Sequence, residues 1–218
     1  MNNSKKILQV AVLVSGGGTN LQALIDAEKQ MIADNGFCPY HIALVVSSAK
    51  DAYALTRAQN AGINSVVASP SVILGAENAK AASRDEKRIA VSDRVLQLCN
   101  ENNIEAIVLA GFLTVLAGDV VKEYSGKIIN LHPALLPKFG GVGMFGHHVH
   151  EAVLAAGEKE SGCTIHLVDD GCDTGTILLQ KKVPVMPGDT PETLYARIAP
   201  EEHKAMVEGL VLLSERLA

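Results

Sequence analysis

The segment Ile7–Asn20, ILQVAVLVSGGGTN, decides the fold class. Its first part is an apolar run rich in β-branched side chains, which predicts a buried strand over Ile7–Val14. Three glycines follow the run, and the apolar residues after them recur at helical spacing, which predicts a helix over about residues 19–33. A strand that passes through a glycine turn into a helix is typical of the opening unit of an α/β sheet.

The rest of the chain continues this alternation of apolar runs and amphipathic stretches. The elements predicted from it are strand His41–Val46, helix Ala52–Ala61, strand Ser65–Ala68, a helix through Ile89, Leu96 and Cys99, strand Ala106–Ala110, strand Lys127–Leu131, strands Cys163–Val168 and Ile177–Val185, and helix Thr190–Leu217. The segment 69–84 has little pattern and is expected to be a surface excursion.

Continuous apolar strands in βαβα order predict an α/β fold with an open, Rossmann-like, mostly parallel sheet flanked by helices. The last two strands alternate in polarity, which predicts an antiparallel C-terminal part. Because no linker, repeat or low-complexity tract interrupts the chain, one domain is expected over residues 1–218. About residues 1–110 would form its phosphate-binding half and about residues 111–218 its catalytic half.

The amino-acid composition excludes several classes of function. The chain has 218 residues, 48% hydrophobic and 20% charged, with a formal net charge of −5. It can bury a full core, and without a long block of lysine and arginine it is not expected to bind nucleic acid. No signal-peptide pattern or membrane-spanning apolar run is visible. The four cysteines have no Cys-x-x-Cys spacing, which favours free thiols in a reducing cytoplasm over a disulfide.

The glycine turn Gly16–Gly18 brings free backbone N–H groups to the start of a helix, where the helix dipole favours an anion. Thr19 and Asn20 can add side-chain donors or cap the helix. Leu21 occupies the third glycine position of a dinucleotide fingerprint, and no P-loop is present, so the pattern favours a monophosphate. The alternative is a glycine turn that only connects strand to helix.

The segment Asn130-Leu131-His132-Pro133 follows a predicted strand, at the sheet edge where α/β proteins bind ligands. Asn130 can donate an N–H to a developing oxyanion, and His132 can hold or move a proton near neutral pH. In an extended chain the two side chains point to the same side. About forty residues later, Asp173 can orient the imidazole and favour its charged form. This set predicts attack on a carbonyl without an enzyme-bound intermediate, as in acyl transfer.

Each part of this pattern has a simpler interpretation. A lone histidine at a strand end is more often structural, and a glycine-rich acidic loop is more often a solvated turn or, less often, a site for a divalent cation. His147, His148 and His150 could bind zinc, but so local a run favours surface or substrate-loop histidines. No metal is therefore expected, and His148 or His150 is a candidate for positioning the substrate.

Four segments resemble the folate-dependent phosphoribosylglycinamide formyltransferases: Val14–Ala23, Leu109–Phe112, Asn130–Lys138 and His166–Asp173. The resemblance covers nearly the whole chain, and the Asn-x-His-Pro-x-Leu-Leu-Pro motif is specific to folate formyltransferases. It implies the formyltransferase fold and formyl transfer from 10-formyltetrahydrofolate to the amine of phosphoribosylglycinamide in purine synthesis. It also implies small-molecule partners alone, no nucleic acid or membrane partner, a cytoplasmic location, and a monomer or homodimer.

The resemblance implies roles for single residues. The catalytic residues would be Asn130, His132 and Asp173, supported from beneath by His166. The substrate-binding residues would be Gly17, Gly18, Thr19, Asn20 and Glu202. The folate-binding residues, in the second half of the domain, would be Leu113, Thr114, Val115, Leu116, Val168, Asp169 and Asp170. Leu113 and Thr114 stand where the familiar bacterial form has a basic residue, and the Gly/His-rich segment 139–150 is longer than in that form.

Other functions stay open at this level. A formyltetrahydrofolate hydrolase or a methionyl-tRNA formyltransferase would carry a further domain, for which the chain is expected to have no room. A catalytically silent protein that binds phosphoribosyl metabolites would keep the glycine turn but would not need Asn130, His132 and Asp173. A nucleotide-dependent oxidoreductase is disfavoured by the broken glycine fingerprint.

Overall fold

The structure is a computed structural model and describes residues 6–218. At its centre lies a seven-stranded sheet with the order β3-β2-β1-β4-β5-β6-β7. The strands are β1 (Leu8–Val14), β2 (Tyr40–Ser47), β3 (Ser65–Val67), β4 (Ala106–Leu109), β5 (Ile128–His132), β6 (Glu160–Leu167) and β7 (Ile177–Pro184).

The first five strands are parallel, whereas β6 pairs antiparallel with both β5 and β7. This arrangement confirms the predicted α/β class with a mostly parallel sheet and an antiparallel C-terminal part. From β1 the chain proceeds to β2 on one side, and later returns to β4 on the other side. The carboxyl ends of β1 and β4 therefore flank a switch point, where open α/β sheets form their ligand crevice.

Eight helices surround the sheet within residues 6–218. They are α1 (Thr19–Asn35), α2 (Tyr53–Asn60), α3 (Pro70–Leu74), α4 (Ala76–Ala81), α5 (Arg84–Glu101), α6 (Asp119–Glu123), α7 (His147–Ala155) and α8 (Pro191–Leu217). None of them is long and apolar enough to cross a membrane.

The core lies on both faces of the sheet. In β1, Val10, Val12 and Val14 pack on one face with α1 and α8, while Ala11 and Leu13 pack on the other face with α5. Successive side chains of a strand point to opposite faces, so a strand buried on both sides must be apolar throughout. This is why the sequence around residue 10 reads as one continuous apolar run.

Three segments differ from the predictions, one of them the short helix α6, which no pattern indicated. The expected surface excursion 69–84 contains the short helices α3 and α4. Ser69 accepts a hydrogen bond from the Val72 N–H, and Pro70 sets the first turn of α3. Five or six residues are too few to show a helical period, which is why these helices were missed. The Gly/His-rich segment 139–150 is likewise not all loop, because α7 begins at His147.

The predicted division into two halves near residue 110 stays a prediction, and its residues 1–5 lie outside the described part. The sheet itself uses both halves, since β1 to β4 come from the first and β5 to β7 from the second.

Candidate active site

The end of β5 carries the predicted catalytic pair. Asn130 and His132 lie on the strand opposite His166 and Thr164 of β6, in the antiparallel part of the sheet. Directly opposed residues in such a pair have close side chains. His132 and His166 are 3% and 2% exposed in their side chains, so water can screen their interactions only weakly.

Both ring nitrogens of His132 contact protein groups. Its Nε2 lies 2.7 Å from the carbonyl oxygen of Phe139, to which it must donate, because a carbonyl can only accept. Its Nδ1 lies 3.4 Å from Oδ2 of Asp173. A proton on Nδ1 would thus form an ion pair with the carboxylate. The predicted contact between His132 and Asp173 is present.

Asp173 is held in place by its backbone conformation and by the N–H of Gly141, and it lies close to His166. Its φ of 58° lies in the left-handed region, which aspartate adopts more readily than most residues. The Gly141 N–H donates to Oδ2 at 3.0 Å, and Nε2 of His166 lies 3.5 Å from Oδ1. Burial alone would raise the pKa of Asp173. The contacts with His166 and Gly141 and the charge of His132 outweigh burial and hold that pKa below its usual value.

The pKa of His132 is lowered, although an ion pair with Asp173 alone would raise it. Burial lowers this pKa, and the charge of Asp173 and the carbonyl of Phe139 offset burial only in part. The ring is therefore neutral in the resting protein above its ordinary titration range. It is ready to take up a proton when negative charge appears nearby.

Asn130 contacts the supporting histidine. Its amide nitrogen lies 3.1 Å from Nε2 of His166, whose Nδ1 lies 2.9 Å from the carbonyl oxygen of Leu167. With the ring proton assigned to Nδ1, His166 accepts one amide hydrogen of Asn130 at Nε2. The second amide hydrogen of Asn130 is then available to an oxyanion.

The glycine turn lies at the carboxyl end of β1, between β1 and α1. Gly18 has a φ of 71°, and a Cβ there would lie 2.6 Å from the Cβ of Ala54, so only glycine fits. A Cβ added at Gly16 or Gly17 would meet no other atom within 4 Å, because the loop is open on that side. The exposed Thr19 begins α1.

Asn20 and Glu202, predicted to bind the same substrate, have neighbouring side chains although they come from α1 and α8. Glu202 is 5% exposed, and burial raises its pKa to about 7 against the opposing effect of Asn20. The Oδ1 of Asn20 is buried without a hydrogen-bond partner among residues 6–218. A donor on a ligand would satisfy it.

The predicted folate-binding residues fall into an exposed and a buried set. Leu113 is 67% exposed, and its N–H donates to the Ser15 hydroxyl at 2.9 Å, which ties the segment after β4 to the end of β1. Val115 is 44% exposed and Thr114 is half-buried, whereas Leu116 packs into the core. The structure thus brings this segment beside the glycine turn and leaves mainly Leu113 and Val115 free to contact a ligand.

The other predicted folate-binding residues lead toward Asp173. The N–H of Val168 donates to the carbonyl of Ile128, which continues the pairing of β6 with β5. Asp169 accepts from the Gly171 N–H at 3.0 Å and the Thr174 hydroxyl at 2.7 Å, and so shapes the turn before and after Asp173. Asp170 is exposed.

The three clustered histidines separate on α7. His147 and His148 are exposed, whereas His150 is buried and its ring lies 5.7 Å from that of Tyr195. The Nδ1 of His150 has no hydrogen-bond partner among the described residues. Within residues 6–218, no three His, Cys, Asp or Glu side chains are placed to share a metal ion.

Three residues at or near the site gave no signal in the sequence. Phe139 contributes a carbonyl, Tyr195 packs against His150, and Arg57 donates to the carbonyl of Gly17 at 2.8 Å. A backbone carbonyl has no sequence signature, and Tyr195 and Arg57 lie on helices whose packing the sequence pattern does not specify.

Comparisons with known proteins agree with this geometry. The family model described as formyl transferase matches residues 8–210. The trifunctional purine biosynthetic protein adenosine-3 of Drosophila pseudoobscura pseudoobscura is 43% identical over 207 residues, which are 94% of this chain but only 14% of that protein. The phosphoribosylglycinamide formyltransferase of Haemophilus influenzae is 36% identical over 217 residues, 96% of this chain and 92% of that protein.

A solved structure gives the same result. The glycinamide ribonucleotide transformylase 1 of Symbiobacterium toebii superposes with a TM-score of 0.81 at 34% identity, covering 96% of this chain and 88% of that one. The match to the family model, over residues 8–210, extends through both the glycine turn and the strand that carries Asn130 and His132. The chain therefore belongs to the formyl transferase family and, within it, to the phosphoribosylglycinamide formyltransferases.

Proposed function

We propose that this protein transfers the formyl group of 10-formyltetrahydrofolate to the amine of 5′-phosphoribosylglycinamide, a step of purine synthesis. The observation that carries the proposal is the cluster of Asn130, His132, His166 and Asp173, with contacts of 3.1–3.5 Å at the end of β5. The family to which the chain belongs acts on this pair of substrates.

The proposed chemistry is direct attack of the amine on the formyl carbon. The carbonyl oxygen becomes an oxyanion, which the free amide hydrogen of Asn130 and the ring of His132 stabilise. The oxyanion raises the pKa of His132, so the ring takes up a proton as the tetrahedral state forms. The attacking nitrogen releases a proton, which water can carry to this ring. When the tetrahedral state collapses, the bond between the formyl carbon and N10 of the folate breaks and the ring gives a proton to N10, which leaves tetrahydrofolate and the formylated amine. Asp173, ionised throughout the neutral range, stabilises the imidazolium. This charge arrangement favours the transition state over the bound substrates.

We assign the substrates to the two sides of the crevice. The phosphate would bind the N–H groups of Gly17 and Gly18 and the donors of Thr19 and Asn20, at the start of α1. Glu202, next to Asn20, would contact the polar groups of the same substrate. The folate would lie along residues 113–116 and 168–170, where Leu113 and Val115 offer apolar surface. This arrangement would hold both reactants in line, which replaces a bimolecular encounter by an oriented one.

The chemistry needs no metal, since the site supplies its own donors for the oxyanion. We also propose a cytoplasmic location, in keeping with four cysteines that all remain free thiols. Small molecules would be the only substrates of a monomer or homodimer.

Formyl transfer itself tests the proposal. Purified protein is mixed with 10-formyl-5,8-dideazafolate and phosphoribosylglycinamide, and the folate absorbance is followed with and without the amine. We expect turnover that depends on the amine and disappears in His132→Ala. Folate breakdown without the amine would indicate a hydrolase instead. Binding of both ligands without turnover would indicate a silent binding protein.

A further inference from the structure

We infer that Arg57 is a positioning residue for phosphate recognition, which fixes the peptide orientation of the glycine turn Gly16–Gly18 and adds a positive charge beside it. The inference rests on the proposed function, in which this turn holds the phosphate of the substrate.

Helix α2 lies behind the glycine turn and binds its carbonyl groups. The Ala54 N–H donates to the carbonyl oxygen of Gly16 at 3.1 Å, and Nε of Arg57 donates to that of Gly17 at 2.8 Å. In a trans peptide the next N–H points away from the carbonyl. These two bonds therefore turn the N–H groups of Gly17 and Gly18 away from α2. An anion outside the turn needs these N–H groups in that orientation.

The backbone after the turn is fixed by α1 itself. The carbonyl of Gly18 accepts from the Gln22 N–H at 2.9 Å, as in a regular helix. For the carbonyl of Gly17, by contrast, the donor is the side chain of Arg57 on α2. Without Arg57, this peptide could rotate and present its oxygen, not the N–H of Gly18, to a phosphate.

Arg57 is itself held in a single position. One terminal nitrogen donates to Oε1 of Gln22 at 3.0 Å, and the guanidinium carbon lies 5.0 Å from the centre of the Tyr53 ring. Gln22 is in turn bound to Asp26 at 2.8 Å. A planar guanidinium that is stacked on a ring and bonded on two edges loses little further freedom when a ligand binds.

The positive charge of Arg57 also favours phosphate binding. The protein carries a formal net charge of −5, so a phosphate must find positive potential locally. The first turn of α1 contains no acidic residue that would weaken the helix dipole. A cation bonded to the glycine turn adds to that dipole at short range.

The test compares Arg57→Ala and Arg57→Lys with the wild type and with Arg94→Ala. Arg94 is also a helical arginine, partly exposed and paired with Glu101, so its removal controls for the loss of one charge. Calorimetry measures the affinity for phosphoribosylglycinamide, for the same molecule without its phosphate, and for 10-formyl-5,8-dideazafolate. Steady-state assays give KM and kcat.

We expect Arg57→Ala to weaken binding of the phosphorylated ligand by about tenfold to a hundredfold, the effect of losing one charge-assisted contact. KM should rise in parallel, while kcat and the affinities for the other two ligands change by less than about threefold. Arg57→Lys, which keeps the charge and one donor, should recover part of the loss. Arg94→Ala should behave like the wild type.

Three outcomes would overturn the inference. Unchanged affinity in Arg57→Ala would show that the residue has no part in phosphate recognition. Equal losses for the phosphorylated and dephosphorylated ligands, or for the folate, would reduce Arg57 to a structural residue. If the wild type does not prefer the phosphorylated ligand, the phosphate site of the proposed function fails, and the role of Arg57 fails with it.

Discussion

The Nε2 atom of His132 lies 2.7 Å from the carbonyl oxygen of Phe139, seven residues further along the chain. Because Nδ1 faces Asp173 at 3.4 Å, each ring nitrogen is engaged by the protein itself. If His132 stabilises the oxyanion, the substrate oxygen must replace one of these partners. Phe139 is the one that can leave, since the chain after it contains glycines at 140, 141, 143 and 146.

We expect ligand binding to displace the Phe139 carbonyl from His132. In protein with 15N-labelled histidine, Nε2 of His132 should have the chemical shift of a protonated nitrogen when no ligand is bound. Its resonance should shift when phosphoribosylglycinamide and 10-formyl-5,8-dideazafolate are both bound, because the hydrogen-bond acceptor changes. His41, which lies at the amino end of β2 and is paired with Glu28, serves as an internal control and should not respond, because the crevice lies at the carboxyl ends of the strands. An unchanged His132 resonance in the ternary complex would argue against this displacement.

Removing His132 or Asp173 should abolish most of the turnover while the fold survives. We expect His132→Ala and Asp173→Ala to lower kcat by about 10²–10⁴-fold, the usual contribution of a positioned proton carrier. Thermal unfolding and ligand binding, measured on the same preparations, report whether the site has kept its shape. Full activity in either variant would rule out the assigned roles.

The variant Asp173→Asn separates the charge of Asp173 from its geometry. Asparagine tolerates the left-handed backbone at this position and can still accept from the Gly141 N–H. The carboxylate raises the pKa of His132 against the effect of burial, so its loss should lower that pKa further. An NMR titration of His132 measures this shift directly. A pKa equal to that of the wild type would mean that Asp173 does not act through the ring.

Substitution by alanine should change the stability of the protein differently at Gly17 and at Gly18. At Gly18 the new Cβ would clash with Ala54 in a left-handed backbone, so Gly18→Ala should lower the free energy of unfolding by about 1–3 kcal/mol. At Gly17 the Cβ meets no neighbour, so the stability should change by less than about 0.5 kcal/mol.

The affinity for the substrate is the second quantity to measure for the glycine variants. The Cβ of Gly17→Ala would enter the open side of the turn, where we place the phosphate, and should raise KM by about tenfold or more. A stable Gly17→Ala variant with the KM of the wild type would place the phosphate elsewhere.

Glu202 should make the stability depend on pH. Its pKa is raised from 4.5 to about 7, so between these values the folded state keeps a proton that the unfolded state has lost. Stability therefore falls as the pH rises through this window, by up to about 3 kcal/mol for this group alone, and the loss is complete above pH 7.

Denaturant unfolding of Glu202→Gln at several pH values measures this effect. The variant cannot ionise, so it should be more stable than the wild type at pH 8 and nearly equal to it at pH 4.5. Glu215→Gln, an exposed change on the same helix, is the control and should show no such trend. A stability difference that does not vary with pH would mean that Glu202 is not buried in its neutral form.

Much of this molecule follows from local sequence pattern. Apart from Gln9, the run Ile7–Val14 is apolar because β1 is covered on both faces, so the strand could be predicted from this segment alone. Asn130 and His132 could be paired because alternate residues of a strand share a side. The short helices α3, α4, α6 and α7 escaped prediction, since helices of so few turns show no clear period and form only where the surrounding fold stabilises them.

By itself, then, the sequence determined the parallel α/β class, the glycine turn at the end of β1 and the Asn130–His132 pair at the end of β5. Only the tertiary structure decided that Phe139 covers His132, that Glu202 meets Asn20, and that Arg57 binds Gly17. The physical reason is the range of the interactions. Strands and turns are set by backbone geometry and by the burial of neighbouring residues. Contacts between distant side chains depend on how helices pack onto the sheet, which no local pattern encodes.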